Sequence, residues 1–206
     1  MLTKFKKKVQ SLLRTEAEIA YNVGLTPNHL TMAGAFLGVS SGMLYWMAGV
    51  SAPDPLRSKT CMFLALIFLL ASGFLDALDG ALARIYKKTS AAGAFLDSLL
   101  DRYVDSAVYF GIIMGELCDL LWGILALIGS LLTSYVRARS ESLRIPMESV
   151  GFFERAERII LIVASSIISL FWLEALNWGI LILAIVTNLT ILQRIIFFFK
   201  SYNRCK

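Results

Sequence analysis

Charged residues, histidine and cysteine are all scarce in this sequence. Only 17% of its 206 residues are charged and 57% are hydrophobic, whereas apolar residues make up about 45–50% of an ordinary soluble domain. The single histidine, His29, has no partner histidine, which disfavours covalent catalysis through phosphohistidine. The cysteines, Cys61, Cys118 and Cys205, lie too far apart to predict a zinc site or a disulfide framework. The composition therefore predicts an integral membrane protein.

Long apolar runs dominate the rest of the chain. A helix needs about 20 apolar residues to cross the hydrocarbon core of a bilayer, and six runs approach this length. They are Leu30–Val50, Cys61–Ala83, Ala91–Met114, Leu117–Val136, Ile159–Trp172 extended back toward Phe152, and Leu176–Phe199. The third run is the least apolar, because aspartates and an arginine interrupt it. These runs predict an all-α integral membrane protein with six transmembrane helices.

The residues before the first run predict a different kind of helix. Apolar residues recur at helical spacing through residues 1–22, and lysines fill much of the remainder. This pattern is typical of an amphipathic helix in the membrane interface, although a basic tail that only sets topology would share it. We expect a single domain, residues 1–206, with the interfacial helix at 1–22 and the six-helix transmembrane bundle at 30–200.

The net charge of +5 does not predict nucleic-acid binding, because the basic residues follow the expected membrane topology. They are concentrated before the first run, between the second and third, between the fourth and fifth, and after the sixth. The opposite loops hold only Arg57 and Lys59. By the positive-inside rule, we expect a multi-pass protein of the cell membrane with both termini in the cytoplasm.

The first run combines a helix start with a face of small residues. Pro27 restricts Thr26 to an extended backbone and can itself begin a helix. Gly34, Gly38 and Gly42 recur at every fourth position, which lets another helix approach closely. We interpret these glycines as packing positions rather than as a binding site.

Acidic residues inside the second and third runs break the apolar pattern. Asp76 and Asp79 are three residues apart, so they share one face of a helix. Asp97, Asp101 and Asp105 are spaced by four and form a stripe on the next helix. Because a short connection joins the two helices, we expect antiparallel neighbours whose carboxylates converge near the cytoplasmic end. Ionisable residues inside spans usually mark a functional site.

Converging carboxylates repel one another unless cations neutralise them, and hard oxygen ligands suit Mg²⁺, Mn²⁺ or Ca²⁺. A pair of divalent ions would meet this need, and Gly80 and Ala83 would leave room for a ligand beside them. Arg84 would then supply a positive charge for a phosphate. The alternative is a set of interhelical ion pairs with Arg84 and Arg102, but these arginines are too few to balance the aspartates.

The same residues resemble the signature of a known family, the CDP-alcohol phosphotransferases. From Asp76 the sequence reads D-x2-D-G-x2-A-R-x8-G-x3-D-x3-D. The specified positions are Asp76, Asp79, Gly80, Ala83, Arg84, Gly93, Asp97 and Asp101. Members of this family are integral membrane enzymes that transfer a substituted phosphate from a CDP-alcohol to a second alcohol and release CMP. The six predicted spans and the interfacial helix also resemble the family.

The resemblance implies a role for each matching residue. The metal-holding positions are Asp76, Asp79, Asp97 and Asp101, which would bind two Mg²⁺ ions, or Mn²⁺ in their place. Asp101 also matches the residue proposed as the general base. The residues that would line the CDP group are Thr26, Pro27, Asn28, His29, Gly80, Arg84 and Ser90. The expected reaction is a single displacement with no phosphorylated enzyme intermediate.

The acceptor is predicted from less specific segments. The stretches "SYVRARSES" and "GFFERAER" resemble the phosphatidylinositol-phosphate synthase branch of the family, whose archaeal members make archaetidylinositol phosphate from an ether-linked CDP-lipid. The resemblance implies that Arg137, Arg155 and Arg194 bind the acceptor phosphate. Positive-inside topology alone would account for the other basic residues of this region, which are Arg139, Arg144 and Arg158.

We therefore expect a transferase of phospholipid biosynthesis that joins CDP-diacylglycerol or CDP-archaeol to myo-inositol phosphate. Glycerol 3-phosphate is the alternative acceptor. A metal-ion channel or transporter is a more remote alternative, disfavoured because the sequence contains no internal repeat. The expected partners are the CDP-lipid, the phosphorylated acceptor, membrane lipids and a second copy in a homodimer, and they include no nucleic acid.

Overall fold

A computed structural model of the chain describes residues 13–147, 150–151 and 153–204. These residues form seven α-helices and, within the ranges described, no strand. The helices are α1 (Arg14–Asn22), α2 (Pro27–Val50), α3 (Pro55–Ile85), α4 (Ala91–Met114), α5 (Leu120–Ser142), α6 (Arg155–Ser169) and α7 (Ala175–Arg204). The all-α prediction is confirmed.

Four of these helices, α2, α3, α5 and α7, are long and apolar enough to cross a membrane. The chain is therefore an all-α protein with the helices of a multi-pass membrane protein. The other two predicted spans correspond to α4, which carries four charged residues, and to α6, which has only 15 residues. Neither is apolar and long enough to be identified as a span by composition, so the count of six stays a prediction.

Only the end of the predicted interfacial helix falls within the described residues, because residues 1–12 lie outside them. Helix α1 buries Ala17 and Ala20 against Leu78 and Leu82 of α3. The opposite side of α1 is exposed and largely polar, for example at Thr15, Glu18 and Asn22. Helix α1 is thus amphipathic and rests on the same end of the bundle as the last turns of α3.

The start of α2 confirms the interpretation of Thr26 and Pro27. Thr26 is extended, with φ −101° and ψ 157°, and Pro27 is the first helical residue. The Thr26 hydroxyl accepts a hydrogen bond from the His29 backbone N–H at 3.3 Å, and the Thr26 N–H donates to His29 Nδ1 at 3.5 Å. This reciprocal cap satisfies backbone groups that a helix start leaves unpaired.

The glycine face of α2 packs against two helices, as predicted. A Cβ on Gly34 would lie 3.3 Å from Leu75 Cβ of α3, and a Cβ on Gly38 would lie 2.8 Å from Ser72 Oγ. A Cβ on Gly42 would overlap the backbone carbonyl of Ala107 on α4. Only glycine permits helix backbones to approach this closely, so α2 fits tightly between α3 and α4.

Helices α3 and α4 were expected to be antiparallel neighbours with converging carboxylates, and their acidic ends do converge, although the two backbones stay apart. Among the described residues their backbones make almost no close approach, although only residues 86–90 connect them, and each packs on α2 instead. Small residues favour close helix packing, and α2 presents them. The facing sides of α3 and α4 carry carboxylates, which need space and opposite charges when removed from water.

Buried hydroxyl pairs hold other helices of the bundle together. The Tyr45 hydroxyl of α2 lies 2.7 Å from Ser166 Oγ of α6, and Ser130 of α5 donates to the Tyr109 hydroxyl of α4 at 2.9 Å. In an apolar environment a polar group without a partner is costly. These pairs therefore fix which helix faces meet, and they set the position of α6 beside the acidic end of α3 and α4.

The glycine face yields the first testable prediction. Gly42→Ala should lower the thermal unfolding temperature of the protein in detergent, because overpacking a tight contact typically costs about 1–3 kcal/mol. Gly73→Ala on α3 is the matched control, since a Cβ at Gly73 meets nothing within 4 Å and alanine favours the helix. Equal unfolding temperatures for the two variants would contradict the tight fit of α2.

Candidate active site

Three predicted metal-binding aspartates meet at one end of the bundle. Carboxylate oxygens of Asp76, Asp97 and Asp101 all lie within 4.8 Å of one another. Asp76 comes from the last turns of α3, whereas Asp97 and Asp101 come from the first turns of α4 and share a face because they are four residues apart. Convergence of the two acidic helices, which the sequence predicted, is therefore present even though α3 and α4 do not pack directly.

Asp79, the fourth aspartate of the motif, stands slightly apart. Its side chain is buried, and its Oδ2 lies 2.6 Å from the hydroxyl of Thr31 on α2. The same hydroxyl lies 3.0 Å from the Pro27 carbonyl oxygen. Asp79 lines the same cavity as Asp76 and Asp101, so it is available to a ligand there while α2 fixes its orientation.

Arg155, from the start of α6, reaches into the acidic end. One of its terminal nitrogens, Nη1, lies 3.2 Å from Asp76 Oδ2 and 2.8 Å from Asp101 Oδ1. Its Nε lies 3.2 Å from Asp105 Oδ1. A single guanidinium thus contacts carboxylates of both α3 and α4, which only a forked donor group can do in this geometry.

A second arginine of α6 completes the ion pairs. Arg158 is 3% exposed and lies 3.1 Å from Asp105 Oδ2. The sequence offered ion pairs with Arg84 and Arg102 as the alternative to a metal site. Arg102 lies 3.8 Å from Asp101 Oδ2, but the closer counter-charges come from α6.

The acidic end has a small cavity, open to the surface, between α2, α3, α4 and α6. Its wall has a polar side and an apolar side. The lining residues used below are Thr31, Asp76, Asp79, Asp101 and Arg155, and the remaining wall includes Leu100 and Val104.

The carboxylates fit a divalent cation. Oxygens from three residues converge within 4.8 Å, and hard cations take carboxylate ligands of this kind. Asp97 Oδ1 is buried and has no hydrogen-bond partner in the part of the chain that the structure describes. A buried carboxylate oxygen is costly without a partner, and a cation ligated by Asp97 would supply one.

The residues predicted to line a nucleotide lie at the same end. Ser90 caps α4 by accepting a hydrogen bond from the Gly93 N–H at 3.0 Å. A Cβ on Gly93 would lie 3.1 Å from Asn28 Oδ1, so the N-termini of α2 and α4 are adjacent. Helix N-termini attract phosphate through their free N–H groups and the helix dipole.

Gly80 and Arg84 form one unit on α3. A Cβ on Gly80 would lie 3.2 Å from both terminal nitrogens of Arg84, so the guanidinium folds back over the glycine. The absence of a side chain at Gly80 therefore gives Arg84 its position one turn from the aspartates. This agrees with the predicted combination of clearance and positive charge.

The three predicted acceptor arginines have different surroundings. Arg155 lies among the aspartates, as described above. Arg194 is 3% exposed and donates to the carbonyls of Val150 and Thr133, at 2.8 and 2.5 Å. Arg137 is more exposed and pairs with Glu141 at 2.9 Å. The sequence argued that a buried Arg194 needs a partner, and backbone carbonyls meet part of that need.

Sequence reasoning did not assign Thr31, Asp105 and Arg158 to the site. Thr31 is a polar residue one turn after Pro27, and Asp105 continues the four-residue spacing of Asp97 and Asp101, so both had a signal. Arg158 is three residues after Arg155 and shares its helix face. The positive-inside rule accounted for Arg158 equally well, so the sequence alone did not indicate its role as a counter-charge to Asp105.

Comparison with known proteins identifies the family of the chain. A sequence model of the family described as CDP-alcohol phosphatidyltransferase matches residues 24–192. The chain is 36% identical over 195 residues to the archaetidylinositol phosphate synthase of Pyrococcus horikoshii, covering 95% of each protein. It is 30% identical over 191 residues to the phosphatidylinositol phosphate synthase of Mycobacterium tuberculosis, covering 84% of this chain and 79% of that protein.

Solved structures of the phosphatidylinositol phosphate synthase of M. tuberculosis have a similar fold. The form with CDP-DAG bound matches with a TM-score of 0.73 and 27% identity, over 91% of this chain and 94% of that one. The form in complex with manganese and citrate matches with a TM-score of 0.73 and 28% identity, over 91% and 88%.

The contact between Thr31 and Asp79 yields a prediction. Thr31→Val keeps the side-chain shape but removes the hydroxyl, leaving the buried Asp79 carboxylate without this partner. We expect Mn²⁺ affinity to fall at least about tenfold, since residues that orient metal ligands typically contribute about 10–100-fold. Electron paramagnetic resonance of Mn²⁺ added to purified protein measures this affinity.

Thr31→Ser is the matched control, because serine keeps the hydroxyl on a smaller side chain. Its Mn²⁺ affinity should stay within about threefold of the wild-type value, a difference well below that expected for loss of the orienting group. Identical affinities for the valine and serine variants would show that Thr31 does not orient Asp79 for metal binding.

Proposed function

The chain belongs to the CDP-alcohol phosphatidyltransferase family, and on this premise we propose that it transfers the lipid phosphate of a CDP-activated lipid to a hydroxyl of myo-inositol phosphate and releases CMP. Membership makes it an enzyme, a transferase of phospholipid biosynthesis. Relatives named as archaetidylinositol and phosphatidylinositol phosphate synthases support the inositol phosphate acceptor. CDP-diacylglycerol and CDP-archaeol are the two candidate donors.

The observation that carries the proposal is the meeting of Asp76, Asp97 and Asp101 within 4.8 Å at a cavity that Arg155 also lines. Pyrophosphate cleavage requires positive charge close to the diphosphate oxygens. The cavity combines carboxylates that fit divalent cations with fixed cationic side chains. Its position at one end of the bundle, rather than across the midplane, disfavours the alternative of a metal-ion channel or transporter.

Two Mg²⁺ ions, or Mn²⁺ ions in their place, are proposed to be held by Asp76, Asp79, Asp97 and Asp101. Bound there, divalent cations would neutralise the diphosphate oxygens and stabilise the departing CMP. The chain's own contribution is orientation: Thr31 fixes Asp79, and Arg155 contacts Asp76 and Asp101. A relative's structure in complex with manganese supports a divalent metal here.

Asp101 is proposed as the general base. Its carboxylate lines the cavity and is partly exposed, so an acceptor hydroxyl can reach it. In the reaction, the hydroxyl oxygen bonds to the phosphorus on the lipid side of the diphosphate. The bond from that phosphorus to the CMP oxygen breaks, and the hydroxyl proton passes to Asp101. A carboxylate within hydrogen-bond reach of the hydroxyl is suited to this role.

The CDP group is proposed to lie at the N-terminus of α2. Thr26, Pro27, Asn28 and His29 form the first turn there, and Ser90 lies beside them at the start of α4. Gly80 and Arg84 lie in the last turns of α3. Helix N-termini and a fixed guanidinium both favour bound phosphate, which supports placing the diphosphate between them.

The acceptor phosphate is proposed to bind Arg137, Arg155 and Arg194. Arginine suits phosphate because its forked donors match the oxygen spacing. Arg194 uses two of its donor nitrogens on backbone carbonyls, which fixes the guanidinium while leaving other N–H groups for a ligand.

The topology and assembly are also proposed. Six membrane-spanning helices, with α4 and α6 as the two short or charged members, would place both termini and the active site on the cytoplasmic side of the cell membrane. This follows from the positive-inside distribution of the basic loops. A homodimer and an interfacial helix at residues 1–22 stay predictions.

The proposed reaction is tested by CMP release. Purified protein with CDP-diacylglycerol or CDP-archaeol and Mg²⁺ should release CMP when inositol phosphate is added, because the acceptor supplies the attacking hydroxyl. Glycerol 3-phosphate and free inositol are the comparison acceptors. We expect the rate with inositol phosphate to exceed both by at least about a hundredfold, as expected when buried phosphate and hydroxyl ligands would otherwise be unpaired.

CMP release only with glycerol 3-phosphate would show that glycerol 3-phosphate is the acceptor instead of inositol phosphate. The proposed transfer reaction itself would still hold. No CMP with any acceptor, in protein that still binds CDP-lipid, would contradict the transferase proposal and favour transport.

A further inference from the structure

We propose that Arg155 is an exchangeable counter-cation, which competes with the divalent metal for Asp76 and Asp101 and is released toward the acceptor when the metal binds. The inference rests on the metal site proposed above. It assigns to Arg155 a positioning role in addition to phosphate binding, because the contacts of its side chain would depend on whether the metal is bound.

The first observation is that Arg155 and the metal would use the same carboxylates. Arg155 Nη1 lies 3.2 Å from Asp76 Oδ2 and 2.8 Å from Asp101 Oδ1. Both residues belong to the group of oxygens that converge within 4.8 Å. A divalent ion binds such oxygens at about 2.0–2.6 Å, so the ion and Nη1 would compete for the same two carboxylates.

The second observation is that these groups are largely removed from water. The Arg155 and Asp101 side chains are only 19% and 20% exposed. Charges interact strongly where water screens them poorly, so a guanidinium and a divalent ion next to each other would repel. The two cations would therefore compete through electrostatic repulsion as well as for shared ligands.

The third observation is that Arg155 has a separate anchor. Its Nε contacts Asp105 Oδ1 at 3.2 Å, and Arg158 contacts the other oxygen of Asp105 at 3.1 Å. Asp105 is not one of the proposed metal ligands. When Nη1 leaves Asp76 and Asp101, Arg155 still has an anionic partner, so no buried charge is left unpaired.

Release of Nη1 has a direct consequence for substrate order. The freed end of the guanidinium remains at the cavity wall, where a phosphate on the acceptor can accept its hydrogen bonds. Metal binding and acceptor binding are then linked through one side chain, and such linkage is reciprocal. The metal would prepare the site for the acceptor, and the acceptor would tighten metal binding.

The test is Mn²⁺ binding to purified protein without substrates, measured by electron paramagnetic resonance. Arg155→Gln removes the competing charge, and we expect Mn²⁺ to bind at least about tenfold more tightly, a change that corresponds to about 1.4 kcal/mol. An increase in affinity separates the proposal from a structural role, because damage to the site would weaken binding.

Arg102→Gln is the matched control. Arg102 also carries a positive charge near Asp101, at 3.8 Å, but it does not contact Asp76 or lie among the converging oxygens. Its loss should tighten Mn²⁺ binding by less than about threefold, as expected for a partly screened charge. Similar gains for the two variants would show a general charge effect and overturn the competition.

A second variant distinguishes the proposed competition from damage to the fold. Arg155→Lys keeps a positive charge but cannot contact Asp76, Asp101 and Asp105 at once, because lysine carries a single point charge. We expect Mn²⁺ affinity between the wild-type and Arg155→Gln values. Unchanged or weaker Mn²⁺ binding in both folded Arg155 variants would overturn the proposal while leaving the metal site intact. No Mn²⁺ binding to any form, the wild type included, would instead overturn the metal site together with the inference.

Discussion

Repulsion among converging, partly buried carboxylates is the constraint on which this structure depends. Asp76, Asp97 and Asp101 lie within 4.8 Å of one another at one end of a strongly apolar helix bundle. Like charges removed from water are stable only with opposite charges beside them. The chain supplies one such charge through Arg155, and Asp97 Oδ1, which has no hydrogen-bond partner among the described residues, would be stabilised by a further cation.

The packing of the helices follows from the same constraint. Helix α2 separates α3 from α4, and its glycine face brings both close without forcing their acidic sides together. The N-terminus of α2 thereby lies beside the start of α4, where phosphate is favoured. Helix α6 closes the remaining side and carries the arginines. Packing and chemistry are thus joined at one end of the bundle, and the rest of the protein forms an apolar scaffold.

Local features of the fold and site were predictable because they depend on residues close in sequence. The extended Thr26, the helix start at Pro27, the glycine face and the shared face of Asp97 and Asp101 all follow from backbone sterics and helical spacing. The packing partner of α3 was not predictable, since chain connection does not determine which helix fills a groove. The contacts of Arg155 and Arg158 could not be predicted for a related reason. Basic residues near a membrane can set the topology or form ion pairs, and both roles give the same sequence pattern.

Asp97→Asn provides the most direct test that the acidic cluster is a divalent metal site. The substitution removes the charge of an aspartate that forms no ion pair with Arg155, so the contacts of α6 should persist and the thermal unfolding temperature should change little. We predict that Mn²⁺ affinity falls at least about a hundredfold, as expected when one charged ligand of a buried cation is lost. Mn²⁺ binding equal to that of the wild type, in a folded variant, would contradict the assignment.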